Sequence, residues 1–157
     1  PSVFGFAFFT PIVPTGFPNT VDSSLTGGLI DFEGDGISLT PTAATLQTSS
    51  VGGPLTGMGV DLGPAFAAPP SSRGAPYAYG PYTAGPIPGP GPGPWTTLQV
   101  DVGFGLSGGG DSVALTGFAQ ILEGGIIIPE TGANGSMALL AGLVGGCYWR
   151  RRQSQKA

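Results

Sequence analysis

Histidine is absent from this 157-residue chain, cysteine occurs once, and lysine occurs once. Without histidine there is no His-ligated zinc site, no Ser-His-Asp triad and no Cys-His nucleophile pair. Cys147 has no second cysteine, so an intrachain disulfide is excluded; its place in an apolar run reads as small filler. Charge is also scarce, at 9% of residues. Residues 1–128 hold Arg73 against Asp22, Asp31, Glu33, Asp35, Asp61, Asp101, Asp111 and Glu123, one cation against eight acids, a net of −7. Such a body does not attract nucleic acid or an anionic membrane surface by charge. The glycine clusters at Gly52-Gly53-Pro54 and Gly108–Gly110 lack a following lysine or helix, so neither is a phosphate loop.

What is plentiful is glycine and proline, 30 and 17 residues. That level without a strict period raises disorder. Disordered chains, however, are usually polar and charged, and here 40% of residues are hydrophobic. The combination fits one small all-β domain with many turns. The period is mostly two, the mark of strands. Phe4, Phe6 and Phe8 alternate with small residues and predict a strand with one buried face. Leu29 to Leu39 predicts two short strands around a Glu33–Gly36 turn. Thr45–Ser50 and Leu55–Leu62 are weaker strand candidates. In Trp95–Leu106, the side chains of Leu98, Val100, Val102, Phe104 and Leu106 share one face. Gly108-Gly109-Gly110-Asp111 is a turn signal, and Val113, Leu115, Gly117, Ala119 and Ile121 alternate after it. These two runs predict a hairpin.

Pro64–Pro94 separates these runs. Proline lacks the ladder donor, so this stretch predicts a loop or polyproline-like spacer. Tyr77 and Tyr79 within it, and Trp95 just after, are candidate ligand-binding rings for sugars; the plainer reading is rings laid over apolar surface. Asp31, Glu33, Asp35 and Gly36 match the opening of a calcium loop, with Glu for the second acid. The twelfth position is Thr42 rather than a bidentate Glu, and the context is β, so the expectation is a solvated turn and no metal. No cofactor is expected, and no carboxylate pair is assigned to catalysis.

The C-terminus carries the most specific pattern. Ile128-Pro129-Glu130-Thr131-Gly132 precedes thirteen uncharged residues, Met137–Trp149, and then Arg150, Arg151 and Arg152. A thirteen-residue helix covers roughly 20 Å, whereas a bilayer core is about 30 Å thick. The segment is short for a permanent span, although flanking small residues and snorkelling arginines extend its reach. The basic cluster would hold its end on the cytoplasmic side. Motif, apolar run and basic end, in this order, resemble the sorting domain of PEP-CTERM proteins, in the variant that begins Val-Pro-Asp-Ser-Gly. Ile stands for Val, Glu for Asp and Thr for Ser. The resemblance covers about a fifth of the chain and implies recognition by an exosortase, an integral-membrane enzyme of exopolysaccharide-producing Gram-negative bacteria that cuts near the motif. LIDFEGDGISLTPT and VALTGFAQI are similar to body segments of such proteins, but any small secreted β protein shares those patterns. IPETG also fits the sortase pattern Leu-Pro-x-Thr-Gly, with cutting between Thr131 and Gly132. The short apolar run and single lysine count against that second reading.

The expectation is therefore an all-β protein: a small antiparallel β-sandwich-like domain over residues 1–128 with a Pro/Gly-rich loop at 64–94, and a C-terminal hydrophobic helix within a sorting segment at 129–157. It is expected to be exported, non-enzymatic and anchored through the tail before processing, then found at the cell surface or in the matrix. Its expected partners are the exosortase, the membrane and exopolysaccharide, with no nucleic acid; the alternatives are a sortase-anchored wall protein or a carbohydrate-binding module. A leader peptide, upstream or already removed, is part of this reading.

Overall fold

The computed structural model describes residues 1–12, 18–52, 55–91, 93–108 and 110–123. The predicted C-terminal helix, the motif Ile128–Gly132 and Arg150–Arg152 lie outside them. Pro1–Gly124 form one compact unit. The described residues are all-β: β1 (Ser2–Pro11), β2 (Asn19–Asp31), β3 (Ile37–Pro41), β4 (Gln47–Val51), β5 (Thr56–Gly57), β6 (Phe66–Ala68), β7 (Ala75–Pro88), β8 (Thr97–Leu106) and β9 (Ser112–Glu123). They form two antiparallel sheets.

β8 organises the larger sheet. β1 pairs along its whole length, from Ser2 opposite Leu106 to Pro11 opposite Thr97. Two shorter strands share its other side: β3 opposite Phe104–Leu106 and β4 opposite Leu98–Val102. β6 extends the sheet beyond β3, and β5 beyond β4. Between β3 and β4 the chain stays attached to β8, because Gly103 N–H donates to Leu46 O at 2.9 Å and Thr42 N–H donates to Gly103 O at 3.1 Å. A side chain at Gly103 would strike Thr42 Oγ1. The smaller sheet has the order β7-β2-β9.

The sheets meet through two apolar clusters. Leu25 and Leu29 of β2 and Tyr79 of β7 join Ile37, Leu39, Phe104 and Leu106 of the larger sheet, with Leu46 and Leu62. Val21, Val51, Met58, Val60 and Trp95 form the second cluster. At about 1.5–3 kcal/mol per fully buried large aliphatic or aromatic side chain, these clusters are the main favourable term available to a chain so poor in charge.

Three expectations need correction. The 95–121 region is not a hairpin. β8 lies in one sheet and β9 in the other, and the Ser107–Asp111 turn carries the chain between them. Both edges of β8 are already occupied, by β1 on one side and by β3 and β4 on the other, so β9 pairs with β2 instead.

The proline-rich stretch does build a ladder. β7 pairs with β2 from Asp31–Ala75 to Thr20–Pro88, with register shifts between Val21 and Ser23 and between Leu25 and Gly27. Those shifts fall where Gly85-Pro86 and Gly80-Pro81 lie, so each Gly-Pro dipeptide is carried in a bulge. Gly80 and Gly85 have φ of +83° and +96°, which glycine adopts without steric cost. β7 is an edge strand, the position in a sheet that accepts proline.

Finally, the phenylalanine face of β1 is not buried. Every residue of this strand is exposed.

Candidate functional site

An apolar cleft of about 910 Å³ lies between β1 and β8 on one side and β9 on the other. The residues predicted to share one face of β8 do so, and Leu98, Val100, Val102, Phe104 and Leu106 all line it. Phe4, Phe6 and Phe8 of β1 form its roof, and Val113, Leu115 and Phe118 of β9 form the facing wall. The cleft exists because the sheets differ in width. Val113 and Leu115 pack against the cluster that contains Phe104 and Leu106 of β8, whereas β1 contributes to neither cluster. β1 therefore projects past the last strand of the smaller sheet, and its even-numbered side chains face no opposing strand among the described residues.

A polar seam closes the inner end. Buried Gln47 of β4 donates from Nε2 to Ser23 Oγ at 2.6 Å and to Phe118 O at 3.2 Å. Ser23 Oγ–H in turn donates to Phe118 O at 2.7 Å. One side chain of the larger sheet is thus bonded to both β2 and β9. Gly117 makes room for it, since a Cβ there would meet Gln47 Oε1. The odd-numbered residues of β2, including Asn19 and Ser23, point inward as its apolar residues do. That alternation was available in the sequence, although polar residues at half of the positions obscured it.

The proposed ring residues are dispersed. Tyr79 is fully buried in the first cluster and donates its hydroxyl to Pro64 O at 2.7 Å. Its ring packs edge-on to Tyr82, with centroids 4.9 Å apart. Burial, and to a lesser extent Tyr82, pushes the Tyr79 hydroxyl far above the usual tyrosine range. Trp95 is buried in the second cluster. Tyr79 and Trp95 thus sit among the core residues of this structure, with little ring surface exposed. Tyr77 is half-buried and donates its hydroxyl to Ser71 Oγ at 2.6 Å.

The acidic turn has a structural function. Asp31 is fully buried and accepts Gly34 N–H at 2.6 Å and Gly36 N–H at 2.9 Å, one bond to each carboxylate oxygen. It thereby fixes the turn that carries the chain from β2 to β3 and from one sheet to the other. The carboxylates of Asp31, Asp35 and Asp111 come within 4.8 Å of one another, a convergence that spacing alone does not reveal, since Asp111 belongs to the turn after β8. Ser107 Oγ–H donates to Asp111 Oδ2 at 2.6 Å. Glu33 instead turns outward to an exposed ion pair with Arg73 at 3.0 Å.

No family model, curated protein or solved structure matches this chain.

Proposed function

We propose that this chain is an exported, non-catalytic protein of the cell surface or extracellular matrix, whose β-sandwich body is delivered by a C-terminal sorting segment. The observation that carries the reading is the order of three elements: Ile128–Gly132, the uncharged Met137–Trp149, and Arg150–Arg152. An exosortase-type membrane enzyme would recognise the motif, with the apolar run as a temporary membrane anchor and the arginines setting its orientation. A strand-rich, low-charge body is consistent with a protein that acts through its surface. The proposal assigns no catalytic step to the body, and exopolysaccharide is its proposed surroundings.

The test is mass spectrometry of the mature C-terminus, with membrane fractionation, in a host that contains the enzyme. The expected product has lost the apolar run and Arg150–Arg152. Pro129→Ala should leave insertion intact and block cutting, because proline keeps Ile128 extended for presentation to the enzyme. Exchanging Arg150, Arg151 and Arg152 for glutamate should disturb retention and processing. A mature surface protein that still ends at Ala157 refutes the proposal, and an end at Thr131 assigns the processing to a sortase.

A further inference from the structure

Among the described residues, the two long strands that end the sheets on one side are β1 and β9, and the shapes of these margins are complementary. β1 is the outer strand beside β8, and β9 is the outer strand beside β2. The opposite side is blunted. There the larger sheet ends in β5 and β6, of two and three residues, and the smaller sheet ends in β7 with four prolines and two bulges. Short edge strands, proline and bulges are the usual protections against strand addition. β1 has none of them before Pro11. It is ten residues long, carries no charge, and exposes phenylalanine on both faces.

We propose that the occupant of the cleft is a second copy of this chain, joined in a two-fold lap joint. Each copy has one sheet that projects by a strand, β1, and one that falls short by a strand, at β9. With a two-fold axis parallel to the strands, the projecting β1 of one copy fills the shortfall of the other. Each β1 then lies along the partner's β9, and the two β1 strands stack through their even-numbered faces, with Phe6 opposite its own symmetry mate. The interface is isologous, so it closes at two copies.

The available area supports this occupant. Phe4, Phe6 and Phe8, on the face of β1 turned to the cleft, are 39, 51 and 58% exposed, and Phe118 of β9, which also lines the cleft, is 48% exposed. At about 200 Å² for an aromatic side chain, these groups offer roughly 400 Å² per copy. The backbone edges of β1 and β9 and the side chains that flank them add to that, toward the roughly 800 Å² per partner of a standard stable interface. The inference concerns the body alone and does not depend on how the chain is sorted.

The experiment uses the full chain in mild detergent, with its mass read by light scattering. The expected protein mass is twice 15.6 kDa. Phe6→Asp or Phe8→Asp should return it to 15.6 kDa while retaining the β-type circular dichroism. Leu55→Asp, an exposed apolar residue outside the cleft, should leave the dimer intact. In a Cys147→Ser background, Phe6→Cys should form a symmetric intermolecular disulfide on mild oxidation, and Phe9→Cys, on the outer face, should not. A native chain that stays monomeric at tens of micromolar overturns the proposal, whether the thiol of the Phe6→Cys variant is open to reagent or covered by other residues of the same chain. Open-ended oligomers, or equal cross-linking at positions 6 and 9, also overturn it.

Discussion

Gln47 Nε2 lies 2.6 Å from Ser23 Oγ, and this bond joins the two sheets at the inner end of the cleft. Both side chains are buried. A buried polar group left without its partner costs about 1–3 kcal/mol, so the seam tolerates the loss of one member poorly. Gln47→Ala should destabilise by about 2 kcal/mol in urea unfolding. With Ser23→Ala, a double-mutant cycle should give a coupling energy of at least about 0.5 kcal/mol. Strictly additive losses would show that the contact does not hold the sheets.

The bulges in β7 lead to a comparison between two glycines. Gly85 and Gly91 both have positive φ, +96° and +93°. A Cβ at Gly91 meets nothing within 4 Å, whereas at Gly85 it runs into Val21 O and Asp22. Gly91→Ala should therefore cost only the left-handed backbone term, about 1–2 kcal/mol. Gly85→Ala should cost clearly more, because β2 must move as well. Melting temperatures of the two variants check this, and equal shifts would mean that the bulge is not tightly seated.

Alkaline pH should act through Tyr79. Its hydroxyl titrates well above the ordinary tyrosine value because burial disfavours the phenolate. The folded state thus holds this proton more tightly than the unfolded chain does. The resulting stability is fully present below about pH 10, where unfolded tyrosine titrates. It is lost as pH rises above that, by up to about 1.4 kcal/mol per unit. Tyr79→Phe should flatten the decline in a denaturation series from pH 9 to 12, at the expense of the bond to Pro64 O.

Asp31 and Arg73 should differ sharply although both belong to ionic groups of one turn region. Asp31→Ala removes a buried acceptor of two backbone N–H groups, and hydrogen bonds to charged groups are worth about 1.5–3 kcal/mol each. A loss of at least about 2 kcal/mol is expected. Arg73→Ala breaks an exposed pair whose side chains are 74% and 50% exposed, and its effect should stay within about 1 kcal/mol. Chemical denaturation of both variants measures the contrast.

The sequence made the strands easier to find than their partners. Alternation placed β8 and β9 almost correctly, since a half-buried strand shows its period locally. Pairing is a non-local choice. Nothing within Trp95–Ile121 reveals that distant β1, β3 and β4 have already taken both edges of β8. Proline frequency concealed β7 for a different reason: composition counts prolines, but tolerance depends on whether a strand lies at an edge and whether bulges absorb the Gly-Pro pairs. At the cleft, the apolar face of β8 was legible, and its incomplete cover was not. The burial predicted for Phe4, Phe6 and Phe8 assumed an opposite strand, and only the unequal widths of the two sheets reveal that the described residues supply none. Tyr79 and Trp95 show the same limit, since a ring between prolines and glycines has the same local sequence whether it is buried or exposed.

The Gly-Pro pairs of β7 also bear on open-ended assembly. The chain is sparsely charged, with nine acids and five bases in 157 residues, and β1 carries no charge at all. Sheet proteins of that kind polymerise when a sticky margin on one flank finds a receptive margin on the opposite flank, because each addition then regenerates the site for the next. Here the flank bearing Pro76, Pro81, Pro86 and Pro88 has lost four main-chain donors and is interrupted twice. Growth that began at the phenylalanine margin would find no template on the far side. The prolines thus act as a chain terminator for assembly, which lets the protein keep one adhesive margin without becoming a filament.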